Sequence, residues 1–304
     1  MVLLGLLGVL SLLPWSPTFA SYWRDLVAAH SPSDLSSWGS YAIVLLSFFP
    51  TGLAFLAIDH LGWLSRYKIQ ADAHVTPSQL GKLALNLLIN FGITLVVESH
   101  LIIGRATAAG RGLTVSPELP APWVTIATIV GCAILQEPVF YYSHRLLHVG
   151  PLYRHIHKVH HEFHAPMALA AVYAHPLEFG IQNIMPLFVP YLLLRSHLFT
   201  FYVGCVLNVL GTQMHHCGYR LPAWAFPFGA PKGPQPNFHD FHHEATHCNF
   251  GILGLLDRLH GTDTKWRAAV EARGGQAYVR WSRKRKAVVE SPYPVEERAH
   301  PKAD

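Results

Sequence analysis

Histidine is concentrated in one part of this 304-residue chain, where its spacing is that of metal ligands. Sixteen of the 21 histidines lie between His144 and His260. Eight of them fall in three motifs: HRLLH at 144–148, HKVHH at 157–161 and HDFHH at 239–243. Each motif places imidazoles three or four residues apart, on one face of a helix. Packing does not explain three such motifs, because an unpaired imidazole is costly to bury.

The number of these histidines predicts two metal ions, since eight exceed what one tetrahedral zinc ion can use. Imidazole also binds copper, iron and nickel, so the ligand type alone does not name the element. The motifs adjoin apolar segments, where acyl chains and sterols are the available substrates. Their unactivated C–H bonds require oxygen chemistry at a redox metal, which favours iron. The candidate ligands in the motifs are His144, His148, His157, His160, His161, His239, His242 and His243.

Three carboxylates are candidates for orienting these imidazoles, because metal-bound histidines usually give their second ring N–H to a carboxylate or carbonyl. Asp240 lies inside the third motif, Glu162 directly follows the second, and Glu178 lies further along the chain. The alternative for these three is ordinary solvated charge. Glu137 interrupts an apolar stretch before the first motif. An acid at membrane depth is rarely without a partner, which favours a role near the site.

Long apolar segments predict membrane helices that position the histidine motifs. Hydrophobic residues make up 51% of the chain and charged residues only 13%. Residues 39–58 carry no charge and reach the length of about 20 residues that a span requires. Further candidate spans are residues 83–104, residues 121–143 and a hairpin of 179–194 with 196–214. Residues 1–14 are interpreted as a short anchor or re-entrant helix. We therefore expect an all-α, multi-pass membrane protein whose histidine-rich helical cap holds a di-metal site.

Positive charge is concentrated at the C-terminus. From Lys265 to Asp304 there are ten Lys or Arg against five Asp or Glu. The stretch RWSRKRK at 280–286 is compatible with nucleic acid, but beside apolar spans it favours a cytosolic tail facing anionic lipid. No nucleic-acid partner is expected. The four cysteines form no CxxC pair, which indicates neither a disulfide framework nor a cysteine zinc site.

An ordered set of stretches resembles the fatty acid hydroxylase/sterol desaturase superfamily, most closely its C-4 methylsterol oxidases and fatty acid hydroxylase domain-containing proteins. These stretches are FYYSHRLLH (140–148), IHKVHHEFHAP (156–166), YAHPLE (173–178), SHLF (196–199), HCGYRLP (216–222), FHDFHH (238–243) and LDRLHGTDT (256–264). The resemblance covers roughly residues 131–265. It carries the three motifs over as ligands and adds His175 and His216. The chain departs from some relatives at Arg220, where they place histidine or aspartate.

The resemblance implies a non-haem di-iron oxygenase of the endoplasmic reticulum membrane that uses O2, with the histidines and the tail facing the cytosol. Its expected role lies in sterol or fatty acid biosynthesis. On this basis residues 1–120 are membrane-anchoring helices, 121–265 the catalytic domain and 266–304 a basic polar tail. The sequence has neither a GxGxxG turn nor a CxxCH haem motif. Electrons are therefore expected from cytochrome b5 or an NAD(P)H-dependent reductase.

Three other interpretations remain at this point. A desaturase would use the same metals, although the HxxxH spacing of the first motif favours oxygen insertion. A membrane metal-binding or metal-transport protein would also be rich in histidine, but transport sites belong on spans near the bilayer midplane. The motifs instead lie on polar segments that follow the spans. An inactive scaffold of the same fold is the third interpretation, against which the completeness of the motifs argues.

Overall fold

The computed structural model describes residues 15–70, 75–220, 236–272, 280–282 and 287–289. Within these ranges nine helices make up most of the chain: α1 (Pro17–Ala29), α2 (Pro32–His60), α3 (77–108), α4 (Pro122–Leu147), α5 (176–193), α6 (Leu198–His215), α7 (Pro236–Ala245), α8 (Leu255–His260) and α9 (Thr264–Glu271). Shorter helical turns cover Ser65–Tyr67, 150–157, His160–Glu162 and Ala168–Val172. Two three-residue strands, β1 (Arg280–Ser282) and β2 (Ala287–Val289), pair antiparallel. The expected all-α fold is confirmed apart from this strand pair.

Two of these helices, α2 and α4, are long and apolar enough to cross a membrane by length and composition. Only 17% of the most apolar stretch of each is buried inside the protein, whereas a core helix of a soluble protein is mostly buried. Their exposed side chains include Leu46 on α2 and Trp123 on α4, which are 71% and 72% exposed. These outward apolar faces indicate a membrane protein.

The predicted spans coincide with helices. Residues 39–58 lie in α2, residues 83–104 lie in α3, and residues 121–143 include the N-cap of α4 and all but its last four residues. The predicted hairpin corresponds to α5 and α6. The number of full crossings stays a prediction, as do the domain divisions after residues 120 and 265. The anchor expected at residues 1–14 lies outside the described residues, as does most of the basic tail.

The chain encodes the starts of these helices locally. Helices α1 to α5 each begin with proline, whose fixed φ suits the first turn and whose missing N–H would have no intrahelical partner there. Ser16 and Ser31 cap α1 and α2 by accepting backbone N–H groups. Thr76 and Gln79 form a reciprocal capping box at α3.

Aromatic packing joins α2, α3 and α5 in the interior of the bundle. The ring of Phe48 on α2 lies 4.9 Å from that of Phe91 on α3, which lies 5.8 Å from Phe179 on α5. Helix α6 packs against α2, where Gln213 Nε2 donates to the Phe48 carbonyl at 2.8 Å. Helix α5 also packs against α4. The arrangement brings the C-terminal ends of α4 and α6 to one side of the bundle, beside α7.

Candidate metal centre

Two clusters of histidine side chains lie side by side at this end of the bundle. In each cluster the potential ligand atoms all lie within 4.8 Å of one another. The five-histidine cluster contains His144, His148, His157, His161 and His242, and the four-histidine cluster contains His160, His216, His239 and His243. The rings of His161 and His243, one from each cluster, have centroids only 4.8 Å apart. The two clusters therefore form one centre.

Helix ends and short helical turns supply the rings. His144 lies in the last turn of α4 and His148 is its C-cap. His216 is the C-cap of α6. The turns at 153–157 and His160–Glu162 provide the second sequence motif, and α7 provides the third.

The second and third motifs each contribute to both clusters. His157 and His161 lie in the five-histidine cluster, whereas His160 between them faces the other one. His239 and His243 lie in the four-histidine cluster, whereas His242 faces the five-histidine cluster. In an α-helix such as α7, residues i and i+4 are separated by about 40° around the axis, while i+3 lies about 60° to the other side of i. The third motif can therefore serve two neighbouring ions, and the helical turns of the second motif divide its rings in the same way.

Backbone carbonyls fix the outer nitrogen of four rings. These contacts join His144 Nδ1 to Phe250 O (2.7 Å), His160 Nδ1 to Tyr173 O (3.0 Å), His216 Nδ1 to Thr212 O (2.8 Å) and His242 Nδ1 to Cys248 O (2.6 Å). A carbonyl oxygen only accepts hydrogen bonds, so Nδ1 must carry the proton in each ring. A neutral ring then has a bare lone pair on Nε2.

Several Nε2 atoms face each other at short distance. His160 Nε2 lies 3.4 Å from His216 Nε2, which in turn lies 2.8 Å from His239 Nε2. Because the outer nitrogens of His160 and His216 donate to carbonyls, their contact joins two acceptors and is not a hydrogen bond. Two nitrogens about 2.1 Å from one metal ion lie about 3.0 Å apart at a right angle and about 3.4 Å apart at the tetrahedral angle. The spacing therefore fits a shared cation.

Buried ring nitrogens elsewhere in the centre lack a hydrogen-bond partner within the described chain. They are both nitrogens of His148, Nδ1 of His161 and Nε2 of His242. Each buried polar atom left unsatisfied costs about 1–3 kcal/mol. All three residues belong to the five-histidine cluster, where a metal ion would supply a partner for one nitrogen of a ring. Together with the Nε2 spacing in the four-histidine cluster, the residues present fit the metal pair that the sequence predicts.

Burial also keeps these imidazoles neutral, which is the form that binds a metal. It lowers the pKa of His160 to about 4, and neighbouring imidazoles lower the pKa of other rings further. Burial lowers the pKa well below its ordinary value in further rings, including His157, His161, His239, His242 and His243.

Glu178 is the predicted carboxylate that contacts a cluster histidine directly. Its Oε1 lies 2.6 Å from His157 Nδ1, and both side chains are buried. The carboxylate accepts Nδ1–H and turns Nε2 of His157 inward, where that atom lies 3.2 Å from His144 Nε2. This contact is the oriented histidine–carboxylate pair that commonly supports a metal ligand.

The other three predicted carboxylates make the following hydrogen bonds within the described structure. Glu137 accepts the backbone N–H groups of Ile252, Leu253, Leu255 and Leu256 and does not contact a cluster ring. Glu162 accepts the hydroxyl of Tyr173 at 3.0 Å. Asp240 Oδ1 accepts Gln70 Nε2 at 3.0 Å. For Glu162 and Asp240 a role in orienting an imidazole therefore stays a prediction, and Glu137, which was expected to act near the site, bonds to backbone N–H groups.

His175 is the predicted ligand that the structure leaves outside both clusters. Its Nδ1 accepts the backbone N–H of Leu177 at 3.2 Å, so it caps the N-terminus of α5. The residue after it, Pro176, occupies the first helical position, which explains why His175 becomes the cap. The four-histidine cluster is assembled without it, and without residue 220, where the backbone N–H of Arg220 donates to Tyr67 O.

The residues missed at the sequence level are those that offer backbone carbonyls, namely Tyr173, Thr212, Cys248 and Phe250. A carbonyl has no side-chain signature, so only the tertiary structure identifies them. Asp257 was also missed, although it lies within the stretch LDRLHGTDT. It accepts the backbone N–H groups of Phe250 and Gly251 and thereby shapes the segment that meets His144.

Comparison with known proteins gives these residues a family context. The family model described as fatty acid hydroxylase matches residues 129–262, which contain all nine cluster histidines. Methylsterol monooxygenase 2-2 of Arabidopsis thaliana is 33% identical over 252 residues, covering 81% of this chain and 92% of that protein.

The chain belongs to the fatty acid hydroxylase family. Fatty acid hydroxylase domain-containing protein 2 of Homo sapiens is 33% identical over 237 residues, which are 75% of this chain and 67% of that protein. Very-long-chain aldehyde decarbonylase GL1-8 of Oryza sativa subsp. indica is 32% identical over 256 residues, which are 81% of this chain and 92% of that protein. No solved structure matches the chain. Family relatives of similar identity thus carry names that refer to different lipid substrates.

Proposed function

We propose that this member of the fatty acid hydroxylase family is a membrane-bound non-haem di-iron oxygenase that uses O2 to hydroxylate or oxidise a C–H bond of a lipid. The observation that carries the proposal is the pair of adjacent all-histidine clusters, in which Nε2 lone pairs converge at ligand spacing. The names of the relatives, a methylsterol monooxygenase and a fatty acid hydroxylase among them, support the same reaction class.

The nine cluster histidines would hold the two ions, five around one and four around the other. Iron bound there would supply the redox chemistry with O2 that an unactivated C–H bond requires. The protein's part is to keep the rings neutral and oriented. Burial lowers the pKa of the rings, and the carbonyls with Glu178 fix which nitrogen faces inward.

A small, mostly apolar cavity of about 50 Å³ beside the centre has room for a short hydrocarbon segment of a lipid substrate. It lies among α2, α3, α5 and α6, and its lining includes Phe48, Phe91, Phe179, Leu187, Val209 and Thr212. The carbonyl of Thr212 accepts Nδ1–H of His216, so the cavity wall is continuous with the four-histidine cluster. An apolar lining takes up hydrocarbon and excludes water from the reacting group. The substrate is a sterol or fatty-acid-derived lipid.

Location and partners follow from the same proposal. The chain would lie in the endoplasmic reticulum membrane with several spans, and the clusters and the basic tail would face the cytosol. Electrons would come from cytochrome b5 or an NAD(P)H-dependent reductase. The clusters form at the ends of α4 and α6 instead of along the length of a span. That position favours the oxygenase over a metal transporter, whose sites lie near the bilayer midplane.

Lipid turnover by the iron-loaded chain in nanodiscs tests the proposal. The reaction would contain NADH, cytochrome b5 and its reductase, with a 4-methyl sterol, a long-chain fatty acid and a long-chain aldehyde supplied separately under 18O2. We expect labelled oxygen in the product of one lipid class, and no product from a His160→Ala/His161→Ala variant. The zinc-loaded chain is the matched control. Stoichiometric metal binding without oxygen incorporation into any of these lipids would overturn the oxygenase and favour a binding protein or an inactive scaffold.

A further inference from the structure

Glu137 binds a loop by accepting hydrogen bonds from the backbone N–H groups of that loop. The side chain is buried on α4, two turns before His144. Its Oε2 accepts N–H groups from Ile252 at 3.0 Å and Leu253 at 2.7 Å, and its Oε1 accepts that of Leu255 at 3.0 Å. The N–H of Leu256 also approaches Oε1, at 3.4 Å. One carboxylate thus accepts hydrogen bonds from most of the backbone N–H groups of a turn and holds residues 252–256 against α4.

Asp257 grips the preceding part of the same loop. Its two oxygens accept the N–H groups of Phe250 at 2.7 Å and Gly251 at 2.6 Å, and Oδ1 also accepts the hydroxyl of Thr262 at 2.6 Å. The side chain is fully buried. Hydrogen bonds from N–H groups to a carboxylate are roughly twice as strong as those between neutral groups, so the loop is held firmly.

Gly251 lies between the two carboxylates, and its lack of a side chain permits their approach. A Cβ at this position would lie 2.6 Å from Glu137 Oε1 and 2.8 Å from Asp257 Oδ2. Both distances are too short for real atoms, and both oxygens are already held by hydrogen bonds. Glu137, Gly251 and Asp257 therefore form a single unit, which we call the carboxylate latch.

The segment that the carboxylate latch holds contacts the five-histidine cluster. Phe250, whose N–H is bound to Asp257, directs its carbonyl to His144 Nδ1 at 2.7 Å. Two residues earlier, the Cys248 carbonyl meets His242 Nδ1 at 2.6 Å. In the four-histidine cluster, the outer nitrogens of His160 and His216 are held instead by carbonyls of other segments. The carboxylate latch therefore fixes carbonyl groups that contact rings of the five-histidine cluster.

We propose that the carboxylate latch positions the five-histidine cluster for its metal ion, with Glu137 and Asp257 as positioning residues that act through the Phe250 carbonyl on His144. The inference rests on the proposed function, since it concerns the metal that the cluster would hold. Neither carboxylate contacts an imidazole in the described structure, so their effect is geometric. Loss of a group that orients a metal ligand typically lowers metal affinity about 10–100-fold. We expect this loss of metal affinity at the five-histidine cluster only.

Two variants separate positioning from general folding. Glu137→Gln keeps the shape of the side chain but turns an amide NH2 group toward N–H donors. Gly251→Ala keeps both carboxylates and every histidine, yet forces the latch open. Glu118→Gln makes the same chemical change on an exposed side chain before the N-terminus of α4 and serves as the matched control.

The experiment loads the whole chain in nanodiscs with 57Fe(II) and measures iron stoichiometry, chelator competition and the Mössbauer spectrum. We expect the unmutated chain and the control to hold two irons. The latch variants should keep one spectral component unchanged, while the other iron binds about 10–100-fold more weakly. Two irons with an unchanged spectrum, or parallel loss of both components, would overturn the inference. Absence of iron from the unmutated chain would instead overturn the proposed function, and this inference with it.

Discussion

The Nε2 atoms of His160 and His216 face each other at 3.4 Å, while each ring gives its Nδ1 proton to a backbone carbonyl. Two lone pairs at this distance repel unless a cation lies between them. The contact joins residues 56 positions apart in the chain, from two different helical elements. It is therefore an arrangement imposed by the fold, and it provides a direct basis for predictions about metal binding.

Removal of the Glu178 carboxylate should weaken metal binding at the five-histidine cluster. The Glu178→Ala variant frees His157 Nδ1, which then loses the partner that orients its ring. We expect iron affinity to fall about 10–100-fold, measured by competition with a chelator. Glu178→Gln should fall less, because its amide oxygen can still accept the N–H. Equal affinity of Glu178→Ala and an exposed control, Glu271→Gln, would show that the contact is unimportant for the metal.

His175→Ala should leave both metal ions bound. Its ring caps α5, so the variant should lose about 0.5–2 kcal/mol of stability and keep its iron content. His216→Ala removes a member of the four-histidine cluster and should lose one iron. Iron counted per chain in the two variants, side by side, checks the distinction. Loss of an iron from His175→Ala would restore it as a ligand.

Filling the apolar cavity should impair lipid use without affecting the metals. Val209 lines the cavity from α6, and a tryptophan there would occupy the space proposed for hydrocarbon. We expect Val209→Trp to raise KM or abolish turnover, with unchanged iron content. Val130→Trp makes the same substitution on the exposed face of α4 and should behave like the unmutated chain. Normal lipid kinetics in Val209→Trp would place the substrate elsewhere.

Acidification should destabilise the metal-free chain. Burial lowers the folded-state pKa of the cluster rings, to about 4 for His160, below the value of about 6.5 in an unfolded chain. The unfolded state therefore binds more protons below pH 6.5, so stability is fully present above that pH and is lost as the pH falls toward 4. The apparent unfolding temperature in detergent should decrease from pH 7.5 to pH 5.5. A constant temperature over this range would contradict neutral burial of the rings.

The sequence predicts the histidines of the centre well because their spacing is local. Pairs such as His157 and His161 share a helical face wherever that helix lies, so eight cluster members were identifiable from the three motifs. The family resemblance added His216, which the structure brings into the four-histidine cluster, and His175, which lies outside both clusters. The proline after His175 marked a helix start, and hence a cap, which was a local signal in favour of a different role.

The distribution of the rings between two clusters could not be predicted in the same way. It depends on how the ends of α4 and α6 meet α7, and these elements are far apart in the chain. The carbonyl groups that accept the ring N–H groups could not be predicted either, since the Phe250 carbonyl contacts His144 although the two residues are 106 positions apart. Glu137 illustrates the intermediate case. Its apolar surroundings predicted a partner, but the partner is a backbone loop and not an imidazole.

The metal content of the purified 304-residue chain tests the central claim most directly. Protein in nanodiscs, saturated with ferrous ion and freed of excess, should contain two irons per chain by elemental analysis. His148→Ala, in the five-histidine cluster, and His239→Ala, in the four-histidine cluster, should each contain one. A chain that oxidises lipid with fewer than two irons, or that keeps both irons when His239 is replaced, would contradict the account.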